Sequence, residues 1–587
     1  MSFEAALTIG DDDFRVRPGR SRDAGKGSGH KIQSLAAQVR RAAAKAGYTR
    51  MGPSRGKGTG RYGRGRIARL KARSPANARR VVIKARVVRH KGSKFRSAPL
   101  ARHIAYLKRD GVTRDGRDAS LFDARSDQAD GNAFAERCED DRHHFRFIVS
   151  PEDAGQMADL KAFTRELMDD LGSDLGTRLD WVAVDHWNTG NPHIHVLVRG
   201  VDETGADLVI DRGYIREGMR ARAEERVTTE LGPRTEQEIR AALEREVDAD
   251  RWTSLDRRLQ RLSDELTGVV DLRPGGDDDP EMHRLLLGRV GKLERLGLAD
   301  REGPAVWSLR PGAEQALRDL SIRTDIIKTM HRAMSDGGRV PDPGSFALHG
   351  EAPADPIIGR LVERGLHDEL TGTAYAVIDG ADGRTHHLCF DDMEMTGDAK
   401  AGAIVETRSW QDAKGNTRLS LATRSDLTLA EQVNAPGATW LDRQLIAREP
   451  VAAGAGFGLE IREAMEARAL HLKSAGLAQR RGPGFLFARD LIATLKGNEV
   501  SQEIDTIGRR TGLPHRPSDV GDHVSGIYRE RVTLASGRFA MIDDGLGFQL
   551  VPWRPALDQH LGKHISGTMT PGGGVDWSLG RGRGLGL

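Results

Sequence analysis

The sequence predicts a multidomain chain: an α+β domain on a mainly antiparallel sheet with helices, followed by tandem modules of winged helix plus small β-barrel. Three observations lead there. Between residues 80 and 215, strand-like and helix-like stretches follow the order strand, helix, strand, helix, hairpin, strand, which suits an antiparallel α+β sandwich. The second half repeats itself, Leu293–Pro304 aligning without gaps on Leu472–Pro483. A chain of 587 residues is also too long for one hydrophobic core.

The chain opens with a basic Gly/Arg-rich arm, residues 1–79. Residues 14–80 hold twenty Lys/Arg and a single acid, Asp23, against a net charge of +5 for the whole chain. Arg61-Tyr62-Gly63-Arg64-Gly65-Arg66 resembles an RG-rich segment. Such a stretch cannot bury a core and is expected to be disordered. Its charge suits a nucleic-acid phosphate backbone, held by counterion release without sequence readout. A solvated tail is the bland alternative, and the one-sided charge favours the clamp. Cys138 and Cys389 are the only cysteines, so no disulfide framework is expected and a reducing cytoplasm fits. No run of eighteen apolar residues predicts a membrane span, and no apolar signal core precedes the arm.

Folded structure is expected from Arg80. Val81–Arg89 reads as a strand, and residues 98–108 as a helix with Leu100, Ile104 and Leu107 on one face. Tyr106 lies in that helix. A helical tyrosine alone is more often core packing, but Lys108 and Arg109 beside it are cations that favour phenolate and grip phosphate. His143–Pro151 is a second strand, and residues 153–174 a second helix. Trp181–His186 and His193–Val198 then form a hairpin around the turn residues Asn188-Thr189-Gly190-Asn191-Pro192. Leu208–Ile210 is a short strand, and residues 216–274 form a charged helical segment.

The hairpin carries the chemistry. His193 and His195 are two apart on a strand and project together, and His186 on the partner strand faces them in the right register. A lone strand histidine is usually structural. Three imidazoles across one hairpin, with no cysteine nearby, make an open divalent-metal site. Imidazole suits Mn, Zn, Ni or Cu better than Mg by softness, though geometry overrides that. For His143 and His144 the residues leave ligand, base and packing roles open.

Ala105-Tyr106-Leu107 with its basic follow-on, the strand from His144 to Ser150, His186, and Asn191-Pro192-His193-Ile194-His195-Val196 stand in that order. Together they resemble the motifs of single-tyrosine HUH relaxases, the class that nicks T-DNA borders and conjugative origins. The resemblance covers about residues 80–215. Through Gly537–Gly545 and Leu550–Trp553 the C-terminal half resembles the DUF3363-type region some relaxases carry. The resemblance implies Tyr106 as nucleophile and His186, His193 and His195 as ligands of a divalent metal, Mg or Mn foremost and Zn as a further option. Lys108, Arg109 and Arg146 are grouped as DNA contacts, and Asp185 and His144 as supports behind the ligands. Related border nucleases carry acids in the hairpin turn where Asn188 and Asn191 stand here, which leaves Asp185 as the carboxylate candidate.

A relaxase nicks one strand at an origin of transfer, keeps the 5′ end as a phosphotyrosine, and pilots the strand through a type IV secretion channel. The implied partners are single-stranded or supercoiled origin DNA, a relaxosome accessory protein and a type IV coupling protein. The implied location is the bacterial cytoplasm, with passage into a recipient. A rolling-circle replication initiator or HUH transposase would place its tyrosine after the histidines, where Tyr214 stands. A non-catalytic DNA-binding regulator would use the basic arm and winged helices alone, and a plain metallophosphoesterase would use water.

In the second half, each copy of the aligned segment follows a helix and precedes an apolar strand, Val306–Leu309 or Phe485–Phe487. Downstream, Ile358-Gly359-Arg360 and Tyr375–Asp379 parallel Ser525-Gly526-Ile527 and Phe539–Asp543. The expected copies are residues 275–410 and 455–587, with 411–454 as linker and Arg581-Gly582-Arg583-Gly584 in a terminal tail. They suit a DNA-handling or secretion-recognition platform, or a packing scaffold.

Overall fold

The computed structural model describes residues 63–578 apart from 73, 91–97, 111–112, 116, 188–191, 267 and 275–278. The arm up to residue 62, the Asn188–Asn191 turn and the Arg581–Gly584 tail lie outside the described residues. The chain is multidomain α+β with antiparallel sheets, and it divides into two compact units. One is built from residues up to Thr329 together with Asp368–Gly372, the other from Met330–His367 and Thr373 onward.

The first unit is organised on four strands, β1 (Val81–Arg89), β2 (His143–Pro151), β3 (Trp181–His186) and β4 (His193–Arg199), in the order β1-β2-β4-β3. All neighbours are antiparallel. Alternation sorts their side chains. Ile83, Ala85, Phe145, Phe147, Ile194 and Val196 point to one face, against the helices Leu160–Leu175 and Met219–Leu231. The first of these helices is bounded by Asp159, whose carboxylate accepts from the Lys161 and Ala162 amides, and by left-handed Gly176. On the other face Val182, Val184 and Leu197 meet Leu100, Ile104 and Leu107 of the helix Ala98–Asp110. That helix therefore lies on the histidine-bearing face.

The end of the arm is ordered, contrary to the expectation that disorder runs to residue 79. The helix Arg66–Lys71 buries Ala68 in the main core. Arg64 exchanges backbone hydrogen bonds with Val209 and Asp211 and pairs with Asp202 at 2.6 Å. Gly65 is required there: with φ +89, a Cβ would stand 2.6 Å from the Tyr214 ring. The core of this four-stranded domain also extends past residue 215, because Met219, Ala223 and Val227 complete it.

The helices Glu236–Val247, Ser254–Glu265 and Pro280–Arg295 share a core with a small sheet of β5 (Val269–Asp271), β7 (Val306–Leu309) and β6 (Ala299–Gly303). Its centre is Arg289, fully buried. Its guanidinium donates to both carboxylate oxygens of Asp256 and to the carbonyls of Glu246, Val247, Ala249 and Arg251. Asp256 also closes a capping box with Thr253.

The second unit repeats this arrangement. Arg468, on the helix Phe457–Ser474, donates to both oxygens of Asp442 and to the carbonyls of Val433, Ala435 and Gly437. Asp442 closes a capping box with Thr439. The stretch 411–454, expected as a linker, is folded. Thr417–Ser425 is an edge strand, and Leu429–Asn434 and Trp440–Ile446 are capped helices of the second helix group.

The two larger sheets share one plan. In the first, strands Thr417–Ser425, Ile404–Gln411, Ile358–Asp368, Thr373–Gly380 and Thr385–Phe390 lie in that order, with Phe346–Leu348 beyond. In the second, Val575–Trp577, His564–Met569, His523–Leu534, Gly537–Asp543 and Phe548–Pro552 follow the same order. The aligned glycines occupy one niche: a Cβ on Gly359 would meet the Asp379 carbonyl at 2.3 Å, and one on Gly526 the Asp543 carbonyl at 2.4 Å.

Candidate metal centre and tyrosine helix

Strand register places three imidazoles together. His186 pairs with His193 across β3 and β4, and His195 is two residues further on the same face. All three are buried, with ring centroids 4.6 to 5.3 Å apart. The Nε2 atoms of His193 and His195 are 3.1 Å apart. The His186 Nε2 lies 2.9 Å from the Leu107 carbonyl, which only accepts, so this nitrogen donates and Nδ1 keeps the lone pair. Metal-bound histidines commonly hold their second nitrogen in this way.

A fourth donor joins them. The Glu369 carboxylate stands 3.1 Å from His193 Nε2 and 3.2 Å from His195 Nε2. One donor atom from each of His186, His193, His195 and Glu369 fits within 4.8 Å of the others. Burial pushes the His186 imidazolium down to about 3, helped by the neighbouring His195 and His193. Burial likewise lowers His195. Burial opposes ionisation of Glu369, but the two imidazoles outweigh it and hold its carboxyl well below the usual range. Three imidazoles and a carboxylate converging on one point are donors that a divalent ion takes, so this set fits one.

The helix Ala98–Asp110 carries Tyr106. Leu107, the residue after it, is the one tied to His186. His103, one turn before Tyr106 and on the same helix face, is held well below the usual imidazole value by burial and then by the Arg146 charge. Lys108 is exposed on this helix, and the side chain of Arg109 lies outside the described residues.

Arg146 stands on β2, on the face that carries the histidines, paired in register with Arg86. Its Nε donates to His144 Nε2 at 3.1 Å. His144 Nδ1 lies 2.8 Å from His90 Nε2, and His90 Nδ1 lies 2.5 Å from the Asp141 carbonyl. Because that carbonyl only accepts, the chain has one proton order: His90 donates to Asp141, His144 to His90, and Arg146 to His144. His144 thus orients the guanidinium and does not join the three clustered histidines. His143 is a packing residue, bonded to the Leu208 carbonyl at 2.9 Å and edge-on to Phe145.

Two sequence expectations need correction. Asp185 cannot support His186 from behind, because alternation turns it to the opposite face, where it accepts from the Trp187 indole at 2.7 Å. Tyr214 is unsuited to attack. It is fully buried in the core on the face away from the histidines, and its hydroxyl donates to Asp174 at 2.8 Å. Burial and the Asp174 charge push its phenol well above the usual value. Sequence reasoning missed His103, which lies one turn from Tyr106, and Glu369, which no local signal marks.

Comparison with known families gives two matches. The relaxase family model described as "MobA/VirD2-like, nuclease domain" matches residues 114–226, which include all three histidines but begin after Tyr106. The model described as "Protein of unknown function (DUF3363)" matches residues 286–417 and 408–586. No curated protein and no solved structure matches the chain. Among the described residues no helix is long and apolar enough to cross a membrane.

Proposed function

This chain belongs to the DUF3363 family and carries, ahead of that region, a match to a relaxase nuclease domain; from this premise we propose that it nicks one DNA strand at an origin of transfer through Tyr106. The observation that carries the reading is the hydrogen bond from His186 to the Leu107 carbonyl, which couples the three-histidine face to the helix bearing the tyrosine. A divalent ion held by His186, His193 and His195, Mg or Mn foremost, would supply Lewis-acid charge to a non-bridging phosphate oxygen. Tyr106 attacks phosphorus in line, the Tyr oxygen–phosphorus bond forms, and the phosphorus–O3′ bond breaks. The 3′ oxygen leaves as a hydroxyl, and the strand's 5′ end stays on the enzyme, so the phosphodiester energy is kept for rejoining. Arg146, fixed by His144, and Lys108 and Arg109 on the tyrosine helix contact the phosphates. The bound strand is then piloted to a recipient in conjugation or mobilisation, with an accessory protein and a coupling protein as partners.

The duplicated modules read as winged helices, each three helices with a two-stranded hairpin, and small β-barrels. We assign them to DNA handling or recognition by the secretion machinery. A sound domain division follows the buried arginines, with the first copy running from about Thr235 to Ser425 and the second from Thr428 to Trp577.

The test uses purified protein, Mn²⁺ or Mg²⁺, and single-stranded oligonucleotides from the DNA flanking its gene. A protein–DNA adduct on a denaturing gel, absent in His193→Ala, is the expected result. Cleavage without an adduct would assign water as nucleophile. Binding without cleavage, on DNA that holds the origin, would favour the regulator.

A further inference from the structure

Glu369 belongs to the turn Asp368–Gly372, inside the DUF3363 match and 176 residues from His193. That turn clusters with the first unit. It is stiffly built. The Asp368 carboxylate accepts from the Leu370 and Thr371 amides, and the Gly372 amide closes onto the Asp368 carbonyl at 2.8 Å. Gly372 has φ +79, a left-handed value that suits glycine. The side chain at the tip is thus presented in a fixed direction, toward His193 and His195.

The spacing of the donor atoms is informative. His193 Nε2, His195 Nε2 and the Glu369 oxygen form a nearly equilateral triangle with sides of 3.1, 3.1 and 3.2 Å. Hydrogen bonds alone account for this poorly, because two imidazole nitrogens at 3.1 Å share only one proton. One ion satisfies all three lone pairs at once. Donors about 2.1 Å from a common ion stand about 3.0 Å apart on an octahedral face and about 3.4 Å apart on a tetrahedral one. The observed sides of 3.1 to 3.2 Å lie between these values, so one ion fits all three donors.

We infer that Glu369 is a ligand of the same ion as the three histidines, so that the DUF3363 region completes the nuclease metal centre as a three-imidazole, one-carboxylate site. The inference rests on reading the histidines as metal ligands. The carboxylate also lowers the net charge of the centre and adds an oxygen donor, which suits Mn²⁺ better than an all-imidazole set does. The same turn reaches Arg146: a Cβ on Gly372 would lie 3.8 Å from its Nη1. One turn of the C-terminal family region thus lies close to both the histidine donors and the proposed phosphate-binding arginine.

Calorimetric titration of Mn²⁺ into full-length, metal-free protein tests this without reference to nicking. Glu369→Gln, which keeps shape but loses charge and ligand strength, is expected to weaken Mn²⁺ binding at least tenfold, and His193→Ala to weaken it further. Unchanged affinity in Glu369→Gln alongside loss in His193→Ala would remove Glu369 and leave the three-histidine site standing. No binding by the wild type would overturn the metal reading itself. Co²⁺ loading gives an independent check: the visible spectrum of the wild type is expected to shift in Glu369→Gln, and identical spectra would overturn carboxylate ligation.

Discussion

Replacing Arg289 with methionine should melt its helix neighbourhood locally. The guanidinium is fully buried and holds both oxygens of Asp256. Without it, Asp256 keeps only the Thr253 amide and hydroxyl, both on one oxygen, and the other is left charged and buried. Removing one partner of a buried ion pair costs about 3–5 kcal/mol. Four carbonyls lose a donor as well, so the upper part of that range applies. In hydrogen exchange this corresponds to amides in Pro280–Arg295 exchanging about a thousandfold or more faster. Arg468→Met should do the same to Phe457–Ser474, since Asp442 and the carbonyls of Val433, Ala435 and Gly437 reproduce the network. Each change should leave the other helix protected, because the arginines belong to different units. Adding Asp256→Asn to Arg289→Met should restore part of the loss by discharging the stranded group. A change below tenfold in Pro280–Arg295 exchange would refute the claim that this network organises each copy.

Further outcomes follow from the nuclease site. His103 and His144 are held well below the ordinary imidazole value by burial and then by Arg146. The unfolded chain therefore binds protons near pH 6.5 that the folded chain refuses, and stability is full above that pH and falls below it. The slope is about 1.4 kcal/mol per unit for each such group; thermal melting of metal-free protein from pH 7 to 5 would show it, and a flat profile would contradict it. Tyr214→Phe should retain nicking and lose about 1–2 kcal/mol, because Asp174 keeps its two-point contact with Arg222; loss of adduct in this variant at a temperature where it is folded would revive the downstream-tyrosine alternative. Arg146→Ala should weaken single-strand binding and reduce the salt slope by about 0.7. His144→Ala should weaken binding in the same direction and add nothing to Arg146→Ala, as expected if His144 only orients the guanidinium; additive losses in a binding cycle would give it a separate role.

The histidine hairpin was legible because a period of two needs only the strand to be recognised, and the same parity carries the lesson of Asp185. Once His186 faces the site, its neighbour must face away. The helix before the hairpin was legible from Leu100, Ile104 and Leu107 at helical spacing, all buried as expected. The repeat was legible in its gapless segment, yet its boundaries were not. Thr428 and Thr439 start short helices in a stretch whose polar composition looks like linker, and the partners that select Arg468 lie in them. Arg64 was hidden in a run of charge that reads as disordered until Asp202 and the Val209 carbonyl are seen beside it. Glu369 carries no motif at all; only the folded turn brings it to His193 and His195.

The central claim is that Tyr106 takes the strand. Its most direct test is peptide mapping of the covalent adduct. Trypsin should release the segment His103–Lys108 carrying the nucleotide remnant, with fragmentation assigning the modification to the Tyr106 oxygen, and Tyr106→Phe should give no adduct. A remnant on Tyr214 or any other residue, or an adduct that survives Tyr106→Phe, would contradict the account.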